Sequence, residues 1–130
     1  MNPVDILRGY APEARVLLVV AHYDDETIGC GSRLHLLGRL TIVYVTDGSP
    51  TSLYDAHRLG FSDRESYGVA RRSELAAAFA TAELAPEVIE LGIPDQDAVF
   101  CLSELTGRLR QIVGEVQPDL VLTHPYEGGH

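Results

Sequence analysis

The sequence predicts an α/β fold in which helices pack on both faces of a mainly parallel sheet. Four short apolar runs, rich in β-branched residues, have the length of buried strands. Segments with helical character separate consecutive runs, and this alternation is typical of parallel sheets with right-handed crossovers. Glycine, proline and aspartate, which end helices and form turns, stand at most of the boundaries.

The elements can be assigned in chain order. We predict strands at 15–21, 40–46, 88–91 and 120–123, and helices at 25–37, 66–84 and 103–116. The second of these helices is rich in alanine and is stopped by Pro86. Residues 1–14 form a polar lead-in with one short helix, whereas 47–65 form a long polar loop and 92–95 a turn.

The predicted strand order is third, second, first, fourth, which gives a Rossmann-like three-layer sandwich that is truncated after the fourth strand. The direction of winding reverses between the first and fourth strands. Open α/β sheets bind ligands in the crevice at such a reversal, at the carboxyl ends of the strands. Polar residues follow both of these strands, at 22–26 and 124–130, so we expect them to face one another there.

Composition restricts the class of protein and of partner. A chain of 130 residues that is 45% hydrophobic suits one domain with a real core. Ten basic against 19 acidic residues, a net charge of −9, argue against a nucleic acid as partner. No apolar run approaches the roughly 20 residues that span a bilayer, and the N-terminus lacks a signal-peptide pattern. We therefore expect a cytoplasmic protein with a small-molecule ligand.

The strongest chemical signal is the acidic cluster that follows the first strand. Imidazole and carboxylate groups bind zinc, and a catalytic zinc site uses three protein ligands and a water molecule. His22 and Asp25 are candidate ligands, and the neighbouring Asp24 is a candidate to take a proton from that water. The alternative is structural: an aspartate caps the following helix, and His22 forms an ordinary hydrogen bond at a strand end.

Other polar residues have weaker signals. His130 follows two glycines, which allow close approach of a ligand, although an isolated histidine at a chain end is more often frayed. His124 is expected to form a structural hydrogen bond rather than to bind metal. Arg71 and Glu74 are spaced i, i+3, which is typical of an ion pair on the surface of a helix. The alternative is that Arg71 enters the crevice and binds substrate or orders an active-site carboxylate. No glycine-rich dinucleotide or nucleoside-triphosphate fingerprint is present in the sequence.

The segment Ala-His-Tyr-Asp-Asp-Glu at 21–26 resembles the A-H-P-D-D-E signature of the LmbE-like, or PIG-L, zinc-dependent N-deacetylases. Tyr23 stands where the family usually has proline. The resemblance covers nearly the whole chain from Arg15, and the order and spacing of its pieces together make it specific. Further similar segments are 29–31, 45–48, 71–74, 91–95, 118–121 and 124–130.

This resemblance implies a hydrolase that uses Zn²⁺ and removes acetyl from an N-acetylglucosamine-type glycoconjugate or a related amide. In such a reaction zinc polarises the amide carbonyl, and a carboxylate activates the attacking water. The implied site residues are His22 and Asp25 as zinc ligands, Asp24 and His130 as catalytic groups, and Arg71 and Asp95 as contacts to the sugar.

The family's second signature, H-P-D-H, would begin at His130, and its fourth residue, the third zinc ligand, would lie three positions further on. We therefore interpret 1–130 as the N-terminal portion of a single LmbE-like deacetylase domain. The alternative is a metal- or carbohydrate-binding module without catalysis. A fourth strand with one unpaired side also predicts association of copies of the chain into a homo-oligomer.

Overall fold

The computed structural model describes residues 1–125 of the chain. The strands in this part are β1 (Arg15–Val20), β2 (Arg39–Pro50), β3 (Glu87–Asp95) and β4 (Leu120–Thr123). The helices are α1 (Pro3–Leu7), α2 (Asp25–Leu34), α3 (Tyr54–Arg58), α4 (Arg64–Thr81) and α5 (Leu102–Val116), and a short 3-10 helix lies at Ala98–Phe100.

The four strands form one parallel sheet in the order β3-β2-β1-β4, which confirms the predicted topology. β1 lies in the middle, and its Leu18 pairs with Ile42 of β2 on one side and Leu122 of β4 on the other. The winding reverses between β1 and β4, so their carboxyl ends border the predicted crevice. In the described part of the chain β4 pairs with β1 alone, and association through its other edge stays a prediction.

Helices cover both faces of the sheet. Leu18 of β1 packs in a core cluster with Leu34 of α2 and Leu75 of α4. The next residue back, Leu17, packs in a second cluster with Ile112 of α5 on the opposite face. Burial on both faces explains why the strand is apolar from Val16 to Val20, and each fully buried side chain contributes roughly 1.5–3 kcal/mol to stability.

Two strands extend further than the sequence pattern predicted. β2 continues to Pro50, into the predicted loop, and β3 continues to Asp95, through the predicted turn. After one register shift Thr46 pairs with Ile93, and after a second shift Pro50 pairs with Asp95. The hydrophobic pattern did not reveal this extension because its residues are polar or typical of turns. Hydrogen bonds between strands are made by backbone N–H and C=O groups, which every residue but proline supplies in full.

The predicted bounds of two helices are wrong by a few residues. α2 ends at Leu34 rather than at 37, and it is kinked at Cys30, which lies between two glycines that lower helix propensity. α4 begins at Arg64 because the side chain of Asp63 caps it by accepting the N–H of Ser66 at 2.7 Å. Of the helices in residues 1–125, none has both the length and the hydropathy of a membrane-crossing segment.

Arg64 attaches the end of β2 to the start of α4. Its guanidinium contacts the carboxylate of Asp47 and donates to the hydroxyl of Ser49 at 3.0 Å. Ser49 is 1% exposed, whereas the side chain of Arg64 is 35% exposed, so this contact lies at the edge of the protein interior. The predicted loop 47–65 is therefore partly ordered by strand pairing and by an ion pair, and it forms one wall of the crevice.

Candidate active site

The predicted metal ligands His22 and Asp25 lie together beyond the carboxyl end of β1. Asp25 begins α2, and its Oδ2 atom accepts the backbone N–H of His22 at 2.8 Å. The same oxygen lies 3.6 Å from Nδ1 of the His22 ring. The side chain of Asp25 is 9% exposed and that of Asp24 is 56% exposed, so the two adjacent carboxylates point in different directions.

The distance between Nδ1 of His22 and Oδ2 of Asp25 fits two ligands of one tetrahedral zinc ion. With metal–ligand distances of about 2.1 Å, such an ion separates two ligand atoms by about 3.4 Å, close to the 3.6 Å between Nδ1 and Oδ2. Among residues 1–125, no three histidine, cysteine, aspartate or glutamate side chains are arranged as a complete metal site. The predicted catalytic residue His130 lies outside the described residues.

Asp95, predicted as a contact to the sugar, lies against the His22 ring. Its Oδ1 atom is 2.7 Å from Nε2 of His22. A carboxylate only accepts hydrogen bonds, so Nε2 carries the proton, and in the neutral ring Nδ1 directs its lone pair toward Asp25. In that form, both atoms offer a lone pair to a cation placed between them. Metal-binding histidines commonly donate their second ring nitrogen to a carboxylate in this way.

His124, at the end of β4, reaches the same centre. The backbone N–H of Ala21 donates to its Nε2 atom at 3.1 Å, and Oδ2 of Asp25 lies 3.2 Å from that nitrogen. Donation from the backbone occupies the lone pair of Nε2, which fits the structural hydrogen bond expected for this histidine. The contact joins β4 to β1 at the point where the winding reverses.

Asp24 occupies the position before the first residue of α2, but its side chain accepts no hydrogen bond from the backbone of that helix. It instead lines a cleft of about 330 Å³, where its Oδ2 lies 3.9 Å from Nη2 of Arg71. Arg71 therefore lines the same cleft as Asp24, and its contact with a substrate stays a prediction. Tyr67, which sequence analysis did not single out, lines the same cleft, and its i, i+4 spacing to Arg71 places both on one helix face.

A family model described as PIG-L: GlcNAc-PI de-N-acetylase matches residues 17–130. The chain belongs to the PIG-L family. The matched region contains all six predicted site residues, including His130. No curated protein sequence matches the chain.

Solved structures of deacetylases share the fold of this PIG-L chain. A40926 pseudoaglycone deacetylase Dbv21 has a TM-score of 0.72 over 90% of the chain, with 24% identity. A deacetylase of teicoplanin biosynthesis in complex with teicoplanin has a TM-score of 0.68 over 89%, with 18% identity. A triple mutant of a teicoplanin-pathway deacetylase has a TM-score of 0.70 over 89%, with 23% identity. The chain spans 53%, 60% and 53% of these structures' own chains, respectively.

Glu26, the last residue of the PIG-L-like signature, is buried rather than exposed at the first turn of α2, with 1% of its surface accessible. One carboxylate oxygen accepts the hydroxyl of Thr27 at 2.9 Å. The other, like the hydroxyl of Tyr44, has no well-oriented hydrogen-bond partner within residues 1–125. Burial and the nearby Glu26 carboxylate raise the pKa of Tyr44 above its ordinary value, so this tyrosine remains protonated.

A second cavity, of about 340 Å³, lies on the α5 side of the centre and shares His22 with the cleft. Its walls are mostly apolar and include Val19, Val45, Val99 and Leu105. The PIG-L centre thus lies between a polar cleft that contains Asp24 and Arg71 and an apolar cavity.

Proposed function

We propose that this chain carries the catalytic site of a zinc-dependent deacetylase that removes an N-acetyl group from an N-acetylglucosamine-type glycoconjugate or a related amide. The observation that carries the proposal is the 3.6 Å separation of His22 Nδ1 and Asp25 Oδ2 in a chain of the PIG-L family. Zinc held by these two residues and a further ligand would polarise the amide carbonyl and acidify water.

Asp24 is the proposed general base. Its carboxylate is exposed to the cleft and points away from Asp25, so it can accept a proton from the attacking water. Arg71, 3.9 Å away, orients this carboxylate and presents positive charge to the polar part of the substrate. His130 is the proposed group that stabilises the oxyanion or protonates the leaving amine, and its role stays a prediction.

The surroundings of His22 support a substrate with one polar and one apolar end. The cleft offers Arg71, Asp24 and Asp95 to the hydroxyl groups of a sugar. The cavity on the α5 side offers apolar side chains such as Val19 and Leu105 to the methyl of an acetyl group. An N-acetyl amino sugar bound across the centre would place its amide beside the proposed metal ligands.

The first test is zinc binding by the chain, measured by isothermal titration calorimetry. We expect one zinc per chain, with affinity reduced more than about tenfold in His22→Ala and Asp25→Ala. Asp5→Ala, which removes a carboxylate from the distant α1, is the matched control and should bind as the unaltered chain does. Zinc binding that survives both ligand substitutions would overturn the assignment of the metal site.

The second test is release of acetate from N-acetylglucosamine derivatives with zinc supplied. Asp24→Asn keeps the shape of the side chain and removes its basicity, so we expect it to bind zinc normally and to release no acetate. Activity that persists in this variant would reject Asp24 as the base. Sugar binding without acetate release by the unaltered chain would instead indicate a metal- or carbohydrate-binding module.

A further inference from the structure

We propose that Tyr23 is a positioning residue that clamps the metal-binding loop, residues 21–25, to Glu90 of β3 and Arg72 of α4. The effect of this clamp on metal binding and catalysis rests on the proposed function. Tyr23 lies between His22 and Asp24, so any restraint on it acts directly on the proposed metal ligands and base.

The sequence creates a need for such a clamp. Residues 21–26 resemble the A-H-P-D-D-E signature of the PIG-L family, which has proline at the position of Tyr23. The ring of proline holds φ near −65°. Tyrosine restricts the backbone less, so ordering the loop costs more conformational entropy. A loop that must hold the side chains of His22 and Asp25 at a fixed distance therefore requires a restraint from elsewhere in the fold.

The side chain of Tyr23 supplies this restraint by crossing the sheet. It is 5% exposed, and its ring packs on that of Tyr44 in β2 with 4.9 Å between ring centroids. Its hydroxyl donates to Oε1 of Glu90 at 2.8 Å. Glu90 is the pairing partner of Tyr44 on β3, so the tyrosine reaches from the end of β1 across β2 to β3.

Two further residues complete the clamp. Nε of Arg72 donates to the same Glu90 oxygen at 2.8 Å, and a hydrogen bond between charged groups is stronger than a neutral one. Gly48 lies close to the ring: a Cβ built on it would be 3.6 Å from Cδ2 of Tyr23, and its φ of +69° favours glycine. Consecutive residues of α4 thus support the loop, Arg71 through Asp24 and Arg72 through Glu90.

Hydrogen exchange at individual amides tests the clamp without any metal. The amide of His22 donates to Asp25, and that of Asp25 donates to the carbonyl of His22. In Tyr23→Phe we expect both amides to exchange on the order of 10- to 100-fold faster, because a buried hydrogen bond is lost. Core amides of β1 such as that of Leu18 should keep their rates.

Tyr44→Phe is the matched control. It removes the same atom from the adjacent ring, whose hydroxyl has no well-oriented partner within the described residues. We expect it to leave exchange at His22 within about twofold. Unchanged exchange in Tyr23→Phe, or equal acceleration at all protected amides in both variants, would overturn the proposal.

Zinc affinity gives a second readout, which distinguishes positioning from packing. Tyr23→Phe and Glu90→Leu should weaken zinc binding roughly tenfold, as loss of supporting contacts does in metal sites. Glu90→Gln keeps an oxygen acceptor and should restore most of the affinity. Equal weakening by Tyr44→Phe would reveal a packing effect and overturn the clamp. A chain that binds no zinc would show that His22 and Asp25 alone cannot hold the ion, whereas exchange at His22 would still decide the clamp.

Discussion

Nε2 of His22 lies 2.7 Å from Oδ1 of Asp95, a residue 73 positions away in the chain. The resemblance to the deacetylases implied that Asp95 contacts the sugar. Its position supports a further role, because the hydrogen bond holds the imidazole ring and directs Nδ1 toward Asp25. The continuation of β3 to Asp95 places the carboxylate there.

Replacing Asp95 should therefore weaken metal binding. We expect zinc affinity to fall about 10- to 100-fold in Asp95→Ala and less in Asp95→Asn, which keeps an acceptor. Asp97→Ala, two positions further on, is the matched control. Titration calorimetry measures the effect. An increase in KM for the amide with unchanged zinc affinity would show that Asp95 serves the substrate alone.

Replacing Arg71 should impair hydrolysis without impairing folding. Its partner Asp24 has a side chain that is 56% exposed, so solvent screening leaves their ion pair less than about 1 kcal/mol of stability. Arg71→Ala should lower kcat/KM about tenfold or more, because the base loses its orientation, while the urea midpoint stays near that of the unaltered chain. Arg110→Ala, on the exposed side of α5, is the control. A large loss of stability in Arg71→Ala alone would contradict this prediction.

Two buried tyrosines should limit stability at alkaline pH. Burial and the Glu90 carboxylate raise the pKa of Tyr23 to about 12, and burial and Glu26 raise the pKa of Tyr44. The unfolded chain releases these protons near pH 10, where the folded chain still holds them. Their contribution to stability is therefore complete below about pH 10 and is lost as the pH rises from about 10 toward 12.

Urea denaturation at about pH 8, 10 and 11 measures this dependence. All ten basic side chains are arginines, which keep their protons in this range. Burial and Glu26 also raise the pKa of Cys30, so this thiol adds to the same dependence and the double variant isolates the tyrosines. The double variant Tyr23→Phe/Tyr44→Phe should lose less stability between about pH 10 and 11 than the unaltered chain does. An equal loss in both would show that other groups dominate.

Much of the scaffold was predictable because burial leaves a signal in the local sequence. β1 is apolar at every position from Val16 to Val20 since both of its faces are covered, and this pattern identified the central strand. The predicted order of the strands is confirmed by the structure. That order brought Asp25 and His124 together at the reversal of winding.

The fold of the crevice wall was less predictable. Residues 47–50 and 92–95 contain glycine, proline and aspartate, which indicated a loop and a turn. They pair as extensions of β2 and β3. Backbone groups form the hydrogen bonds of this pairing, so it leaves no pattern of apolar side chains in the sequence. The burial of Glu26 was also hidden, since an acidic residue in the first turn of a helix ordinarily faces solvent.

The sequence by itself determined the central strand, the alternation of strands and helices, and the two adjacent carboxylates, because each depends on hydrophobic periodicity or on neighbours in the chain. Only the tertiary structure decided which distant side chains meet. Asp95 reaches His22, and Glu90 reaches Tyr23, through the register of β3 against β2. A shift of one residue in that register would turn each side chain to the opposite face of the sheet, and no local pattern in the sequence records it.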